Sequence, residues 1–424
     1  MKRKSTKSAI ILAITLSLVI LVSACGSGGG GSVSGEVSPP PEAPTTDAPA
    51  ESAEGLPLAD MSVVSKASQT VPYAEGMIDM PPPTIVPVPA GAEGKVWNLT
   101  LNDQGSDQIP IGLNELDAIK AIELRTNGQV QITPHFNSSL LEMGNIWPGV
   151  VQGMADISIY AVNMNAGAQP IHNIMNQPPI VPYRENTEMV LLVREFIEKH
   201  PEFKAENNAA GIEVISYMMN PSMTFHSTGK DYKTVEDIKG QRLIASASLK
   251  PYLDLTSSTM LAMPPGEYYT SLEKGVADGH ISHWAIIHDF NLLDVYKSHT
   301  ILGDKTSSGI FASVLFWIAN KDTWNTIPVE YQEIIREEFD WVGYSVAQYN
   351  DAVRDAVIED AKAMGHEVVY LSDEEAKPFY EISAKAVDVW AQQAETEGIP
   401  NAMGLYNEYM AAIEAGPSAD AKPY

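Results

Sequence analysis

Beyond residue 95 the chain alternates short apolar runs with longer segments carrying an apolar stripe. Val96, Leu99 and Leu101 predict a strand over 96–101, followed by a helix over 114–125, a strand over 129–133 and a second helix running to Gly153. In 188–200 the residues Leu191, Leu192, Phe196 and Ile197 form the apolar stripe of a helix, and 212–218 reads as a strand. The strongly apolar segment 311–319 predicts a buried strand. Pro328 then opens a helical pattern through Tyr331, Ile334, Ile335, Phe339 and Trp341 toward Met364, longer than an ordinary domain helix. Closing helices are predicted over 381–394 and 405–414. Strands alternating with helices imply an α/β fold built on a mainly parallel sheet.

Two segments echo each other. Residues 150–156 and 272–278 each read as a helix end, a glycine stop (Gly153, Gly275) and the start of a strand, closing on Asp156 and Asp278. Ordinary helix-glycine-strand punctuation would produce the same pattern, but two copies in one chain suggest two similar α/β lobes. Two such lobes enclose a cleft, and open parallel sheets bind ligands beyond the carboxyl ends of their strands. Residues 26–94 are different in kind, with runs at Gly28 to Gly31, Pro39 to Pro41 and Pro81 to Pro83 and no lasting periodicity; this composition predicts a flexible tether.

Composition narrows the function. Acidic residues number 54 against 27 basic ones, a formal net charge of −27, which makes nucleic acid an improbable partner. Cys25 is the single cysteine, so no disulfide forms within the chain and no zinc site needing two cysteines is possible. Lys2, Arg3, Lys4 and Lys7 precede an apolar run over 9–22 that ends in Leu21-Val22-Ser23-Ala24-Cys25. This arrangement resembles a bacterial lipobox: residues 1–24 would be a secretion signal, and Cys25 would carry the lipid that anchors the chain to a membrane. The other reading of Cys25 is a stray or buried thiol. Neither Gly-x-Ser-x-Gly nor a Walker-type phosphate loop occurs, so no residue receives a catalytic assignment and no cofactor is implied.

Four stretches in order resemble the solute receptors of tripartite ATP-independent periplasmic (TRAP) transporters, the dicarboxylate-receptor-like family. They are residues 148–157; Asp237-Ile238-Lys239-Gly240-Gln241-Arg242-Leu243; residues 263–279, with Glu267-Tyr268-Tyr269, Leu272, Gly275 and Asp278-Gly279; and Ala319-Asn320-Lys321-Asp322-Thr323-Trp324 through Pro328. The resemblance implies a two-lobed periplasmic-binding-protein-like fold with a ligand cleft between the lobes and a long helix crossing them. Lobe I would comprise 95–220 and 307–352, and lobe II 221–306 and 353–424. It further implies a receptor that captures a small organic solute by hinge closure and hands it to a membrane permease.

The chain departs from the family where a carboxylate is usually held. In the family's Gly-x-Lys-x-Arg order, Arg242 stands in the lysine position and Ile244 in the arginine position, while a second frequent arginine falls near Met223. Burying an unpaired carboxylate costs several kcal/mol, so the expected solute is neutral or mainly apolar. The competing expectation is a relocated clamp. Arg242 lies two residues before Ile244 on the same strand face, roughly 6.6 Å along the backbone, with Arg184 a weaker substitute.

Further ligand contacts are expected from His280, Ser282, His283 and Trp284, which follow Asp278-Gly279 where the family's strand reaches its cleft. Packing is the other role open to Trp284. The spacing of His280, His283 and His288 invites a metal site, and with it the alternative function of an exported metal-dependent hydrolase. At about 100° per residue, however, a continuous helix would turn His283 and His288 well apart. Pro264-Pro265-Gly266 could present helix-start amides to the cleft, or simply open a helix. Of the adjacent Tyr268 and Tyr269, only one can face it.

Overall fold

The structure is a computed structural model that describes residues 56–64, 77–164, 167–399 and 401–424. Cys25, the signal segment and much of the expected tether lie outside the described residues. The strands are β1 (Trp97–Asn102), β2 (Val130–His135), β3 (Ile157–Ala161), β4 (Ile212–Ser227), β5 (Arg242–Ile244), β6 (Thr259–Leu261), β7 (Gly279–Ser282), β8 (Ser298–Ile301), β9 (Phe311–Asn320) and β10 (Glu367–Tyr370). They run in the order β2-β1-β3-β9-β4-β7-β5-β6, with β8 joining β4 to β10. The sheet is parallel at its two wings, β2-β1-β3 and β7-β5-β6, and antiparallel through its middle, where β9 and β4 lie between them.

Strand β4 spans both halves. Its first part, from Ile212 to Met223, pairs with β9, and its last residues, Thr224 to Ser227, pair with β7 and β8. The ladder is irregular between Asn220 and Met223, where Pro221 cannot donate a hydrogen bond. Sequence patterning ended this strand at Met218, because the polar and proline residues beyond it mimic a turn.

The helix Val329–Ala363 runs for 35 residues. Tyr331, Ile334, Ile335, Phe339 and Val342 bury against Leu99, Ile157 and Trp317 of the first half. Further along the same helix Tyr349, Val353, Val357 and Ile358 bury against Ile244, Leu272 and Trp284 of the second. One continuous helix therefore contributes to two cores. The helix Asp373–Thr396, opened by a Ser372–Glu375 capping box, crosses back. Its Phe379 packs beside Phe225 and Leu243, its Val387 beside Ile146 and Tyr409, and Ala402–Ala415 then lies wholly on the first half's core.

The repeated segments occupy equivalent places. Gly153 and Gly275 both adopt left-handed φ, 71° and 65°, each ending a six-residue helix four residues before a strand. Asp156 Oδ2 accepts the Thr100 amide on β1 at 2.8 Å, and Asp278 Oδ2 accepts the Arg242 amide on β5 at the same distance. The tether is corrected at its far end. From Met77 the chain lies on the domain: Gln348 Oε1 accepts the Ile78 amide at 2.7 Å, Trp341 Nε1 donates to the Ile78 carbonyl, and Val86 donates to Arg125. Isolated apolar residues such as Ile78, Met80 and Val86 suffice to hold this proline-rich segment, although they show no periodicity.

Gly343 marks the closest approach of the long helix to β4, since a Cβ there would sit 2.5 Å from the Tyr217 carbonyl oxygen. Alanine normally stabilises a helix interior by about 1 kcal/mol relative to glycine. Here the clash reverses the sign, and Gly343→Ala is expected to cost about 1–3 kcal/mol in thermal or denaturant unfolding. A stabilised variant would contradict the packing described.

Candidate binding cleft

The carboxyl ends of the parallel strands from both wings converge on a cavity of about 520 Å³. Asp103 and Gln104 follow β1, Asn163 follows β3, Ala245 and Ser246 follow β5, Met263 follows β6, and His283 follows β7. The floor comes from the central strands, with Met218, Asn220 and Met223 of β4 and Ser313 and Leu315 of β9. Asn163 Nδ2 donates to Ser246 Oγ at 2.9 Å, a direct bond from the end of one wing to the end of the other.

Of the anticipated site residues, Met223, Ile244, Ser282 and His283 line this cavity, together with His280 and Tyr268. Tyr268 stacks its edge on His280 at 4.6 Å, whereas Tyr269 is exposed. Pro265 lies on the wall, but its helical turn is a single 3-10 segment.

Arg242 is a correction. It sits at the amino end of β5, and its Nε and Nη2 bond to Asp278 at 2.9 and 2.5 Å, outside the cavity. The reason is topological: a parallel strand delivers its carboxyl end to the cleft, so a residue two positions earlier lies farther from it and meets Asp278, just before the neighbouring strand β7, instead. Arg184 is also engaged elsewhere, donating to the carbonyls of Ile413 and Glu414 at the start of the chain's last segment.

Trp284 is the second correction. It is 1% exposed and packs against His226 and His299, with ring centroids 4.9 and 4.7 Å away. His283 caps the short helix Trp284–Asp289 with its Nδ1 and faces the cavity, and the next residue consequently turns into the core. The three spaced histidines do not converge. His280 Nδ1 meets Tyr296 Oη at 3.0 Å, while His288 turns to Asp289, whose carboxylate holds the imidazole pKa above its usual value. Among the described residues no group of three or more His, Cys, Asp or Glu is arranged to hold a metal ion, and the hydrolase reading has no support.

Behind the cavity wall lies a line of imidazoles that sequence spacing did not reveal. His226 Nε2 lies 3.1 Å from the Ser282 carbonyl, His226 Nδ1 lies 2.7 Å from His299 Nδ1, and His299 Nε2 lies 3.1 Å from His366 Nδ1. One assignment satisfies every contact: His226 donates to Ser282, His299 to His226, and His366 to His299. His226 and His299 are then neutral, and a proton added to either would set N–H against N–H. Burial lowers the pKa of His226 to about 3 and of His283 to about 4, and it lowers His280 and His299 as well.

The arrangement of two α/β wings, crossing strands and an enclosed cleft defines a two-lobed binding protein. The family model for bacterial extracellular solute-binding proteins of family 7 matches residues 104–393, and the chain belongs to that family. Its fold is similar to several solved TRAP solute-binding proteins. One, from a marine metagenome and specific for aromatic acids, was solved with 3-hydroxybenzoate; it is 16% identical over 77% of this chain and 100% of its own, with a TM-score of 0.66. A Desulfovibrio salexigens protein with bound orotic acid is 22% identical over 75% and 99%, with a TM-score of 0.63. A Bordetella pertussis receptor that binds pyroglutamic acid is 20% identical over 74% and 99%, with a TM-score of 0.61.

Acid should destabilise this wall. A histidine whose folded pKa is depressed contributes its full stability above the unfolded value near 6.5 and loses it as pH falls toward the folded value. For His226 and His283 the loss amounts to about 2 kcal/mol each near pH 5. Glu338 and Asp340, raised by burial to about 7 and 6, act in the opposite sense, gaining stability as they protonate. The histidine contribution is therefore isolated by comparison: the melting temperature of His226→Gln should fall less steeply than wild type between pH 6.5 and 5. Parallel slopes would show that His226 is not held neutral.

Proposed function

We propose that this family member is the extracytoplasmic receptor of a TRAP-type transporter and that its solute is mainly apolar, bound without the arginine clamp. The observation that carries the reading is the lining of the cleft. Among the described residues it contains no lysine or arginine, and four methionines, Met143, Met218, Met223 and Met263, contribute to its wall. Thioether side chains are adaptable and apolar, and suit a hydrocarbon body more than a carboxylate. In this reading lobe I comprises 95–220 and 307–352, and lobe II comprises 221–306 with the chain from 353 into the helix Asp373–Thr396. The helix Ala402–Ala415 is assigned back to lobe I because its Leu405, Tyr409 and Ile413 are buried beside Ile146 and Phe196.

A solute touching both wings favours the closed hinge by its differential affinity for that state, and closure is what a permease partner can read. The bond from Asn163 to Ser246 would then act as part of the latch. Residues 1–24 are assigned as a signal segment, and Cys25 as the lipid attachment that keeps the receptor at the membrane.

Two experiments test these assignments. Small-angle scattering should show compaction on saturation with a bound solute, and Ser246→Ala should weaken that solute's binding by favouring the open state; binding with an unchanged radius of gyration would reject hinge closure. Separately, Cys25→Ser should abolish lipid labelling and membrane retention while leaving the melting temperature of the folded domain unchanged. Membrane partitioning equal to wild type would reject the anchor.

A further inference from the structure

Among the described residues the one formally charged side chain lining the cleft is an acid, Asp103, at the end of β1. It is 3% exposed, and its Oδ1 accepts the Gly105 amide at 2.7 Å. Directly beside it Glu115, 0% exposed on the helix Pro110–Arg125, accepts the Trp317 indole N–H at 2.6 Å. Among the described residues Asp103 Oδ2 and Glu115 Oε2 are buried without a hydrogen-bond partner, and neither carboxyl forms an ion pair with a cation. Burial raises both pKa values, and the repulsion of Asp103 raises Glu115 further, so the pair retains a proton more readily than two separate carboxyls.

Neither structural contact needs a charge. An asparagine would accept the Gly105 amide as well as Asp103 does, and a glutamine would accept the Trp317 N–H. A charge buried without a partner costs several kcal/mol, so Asp103 keeps its proton more readily than an exposed acid until a cation enters the cleft and supplies the counter-charge that the protein itself does not. The surrounding groups leave the position open to a cation, since burial lowers the pKa values of His280 and His283 and the remaining walls are apolar, amide or hydroxyl. Resting on the receptor reading above, the geometry points to an organic amine as the solute, its ammonium group seated on Asp103 and its hydrocarbon body against the methionine wall. In this receptor the polarity of the usual recognition is reversed, the protein carrying the carboxylate and the solute the cation.

Isothermal titration of the full chain with matched probes tests this. The probes are phenethylamine, phenylacetate and phenethyl alcohol, and cyclohexylmethylamine, cyclohexanecarboxylate and cyclohexylmethanol. In at least one set the amine should bind about tenfold or more tightly than its alcohol, and the acid should bind most weakly. Asp103→Asn keeps the acceptor for Gly105 and should bring the amine down to the level of the alcohol. If that variant fails to fold, the order of the three probes on the wild-type protein decides alone. An acid that outbinds its amine, an amine equal to its alcohol, an amine preference that survives Asp103→Asn, or no amine binding at millimolar concentration overturns the assignment. Failure of the receptor reading is distinguishable: acid or alcohol binding accompanied by compaction in solution scattering leaves the receptor standing, whereas binding of any probe without compaction counts against hinge closure.

Discussion

Every part of the cleft hangs from the ladder between β4 and β9. These two strands pair from Ile212 to Met223 along the centre of the sheet, and β9 is buried along its whole length. Most of their backbone groups are buried, so the N–H and C=O groups find partners across the ladder or in side chains such as Asn176 and Asn186. That requirement holds the first wing to β4, while the last four residues of the same strand hold the second wing through β7 and β8. The irregularity at Asn220 to Met223 falls where the strand passes from one set of partners to the other. Cavity residues Met218 and Met223 lie on either side of this point.

The electrostatics of the cleft follow from where each strand ends. Equivalent aspartates, Asp156 and Asp278, take the backbone of the neighbouring strand at the amino ends, away from the cavity. Asp278 also binds the Arg242 side chain there, and the cation that sequence order placed near the solute is used up on the outer side. At the opposite, carboxyl ends the two lobes differ, with Asp103 following β1 and Ala245 following β5. One lobe brings a buried acid and the other brings apolar and hydroxyl surface. The neutral imidazoles behind Ser282 add hydrogen-bonding order without adding charge.

Much of the architecture was legible in the chain because its elements are set by local periodicity. The long helix was visible from Pro328 onward, since its apolar residues keep helical spacing, and the two glycine stops were visible because a left-handed position ending a helix favours glycine. The full length of β4 was not legible, because Asn220-Pro221-Ser222 resembles a turn when read without β9 beside it. The start of the helix at Asp373 was also missed, although Ser372 and Glu375 carry a capping box. Of the site, Met223, Ile244, Ser282 and His283 were anticipated through the family resemblance, and they do meet in one cavity.

By itself the sequence determined the α/β class, the two-part organisation and the exclusion of a disulfide, all of which depend on residue type and spacing along the chain. Only the tertiary structure decided which charges face the cavity. Arg242 and Ile244 share a strand face, yet one end of that strand meets Asp278 and the other meets the cleft. Trp284 follows a cleft residue directly but turns into the core, because His283 closes the strand and caps a helix. Asp103 and Glu115 are twelve residues apart, in a strand exit and a helix, and nothing local marks either as paired. Their proximity arises when the helix Pro110–Arg125 packs against the long helix and β2, so that Glu115 reaches the Trp317 indole of β9 near the end of β1. Side-chain direction and the partners met across elements are properties of the packed fold, and those are what give this cleft its acid and deny it a cation.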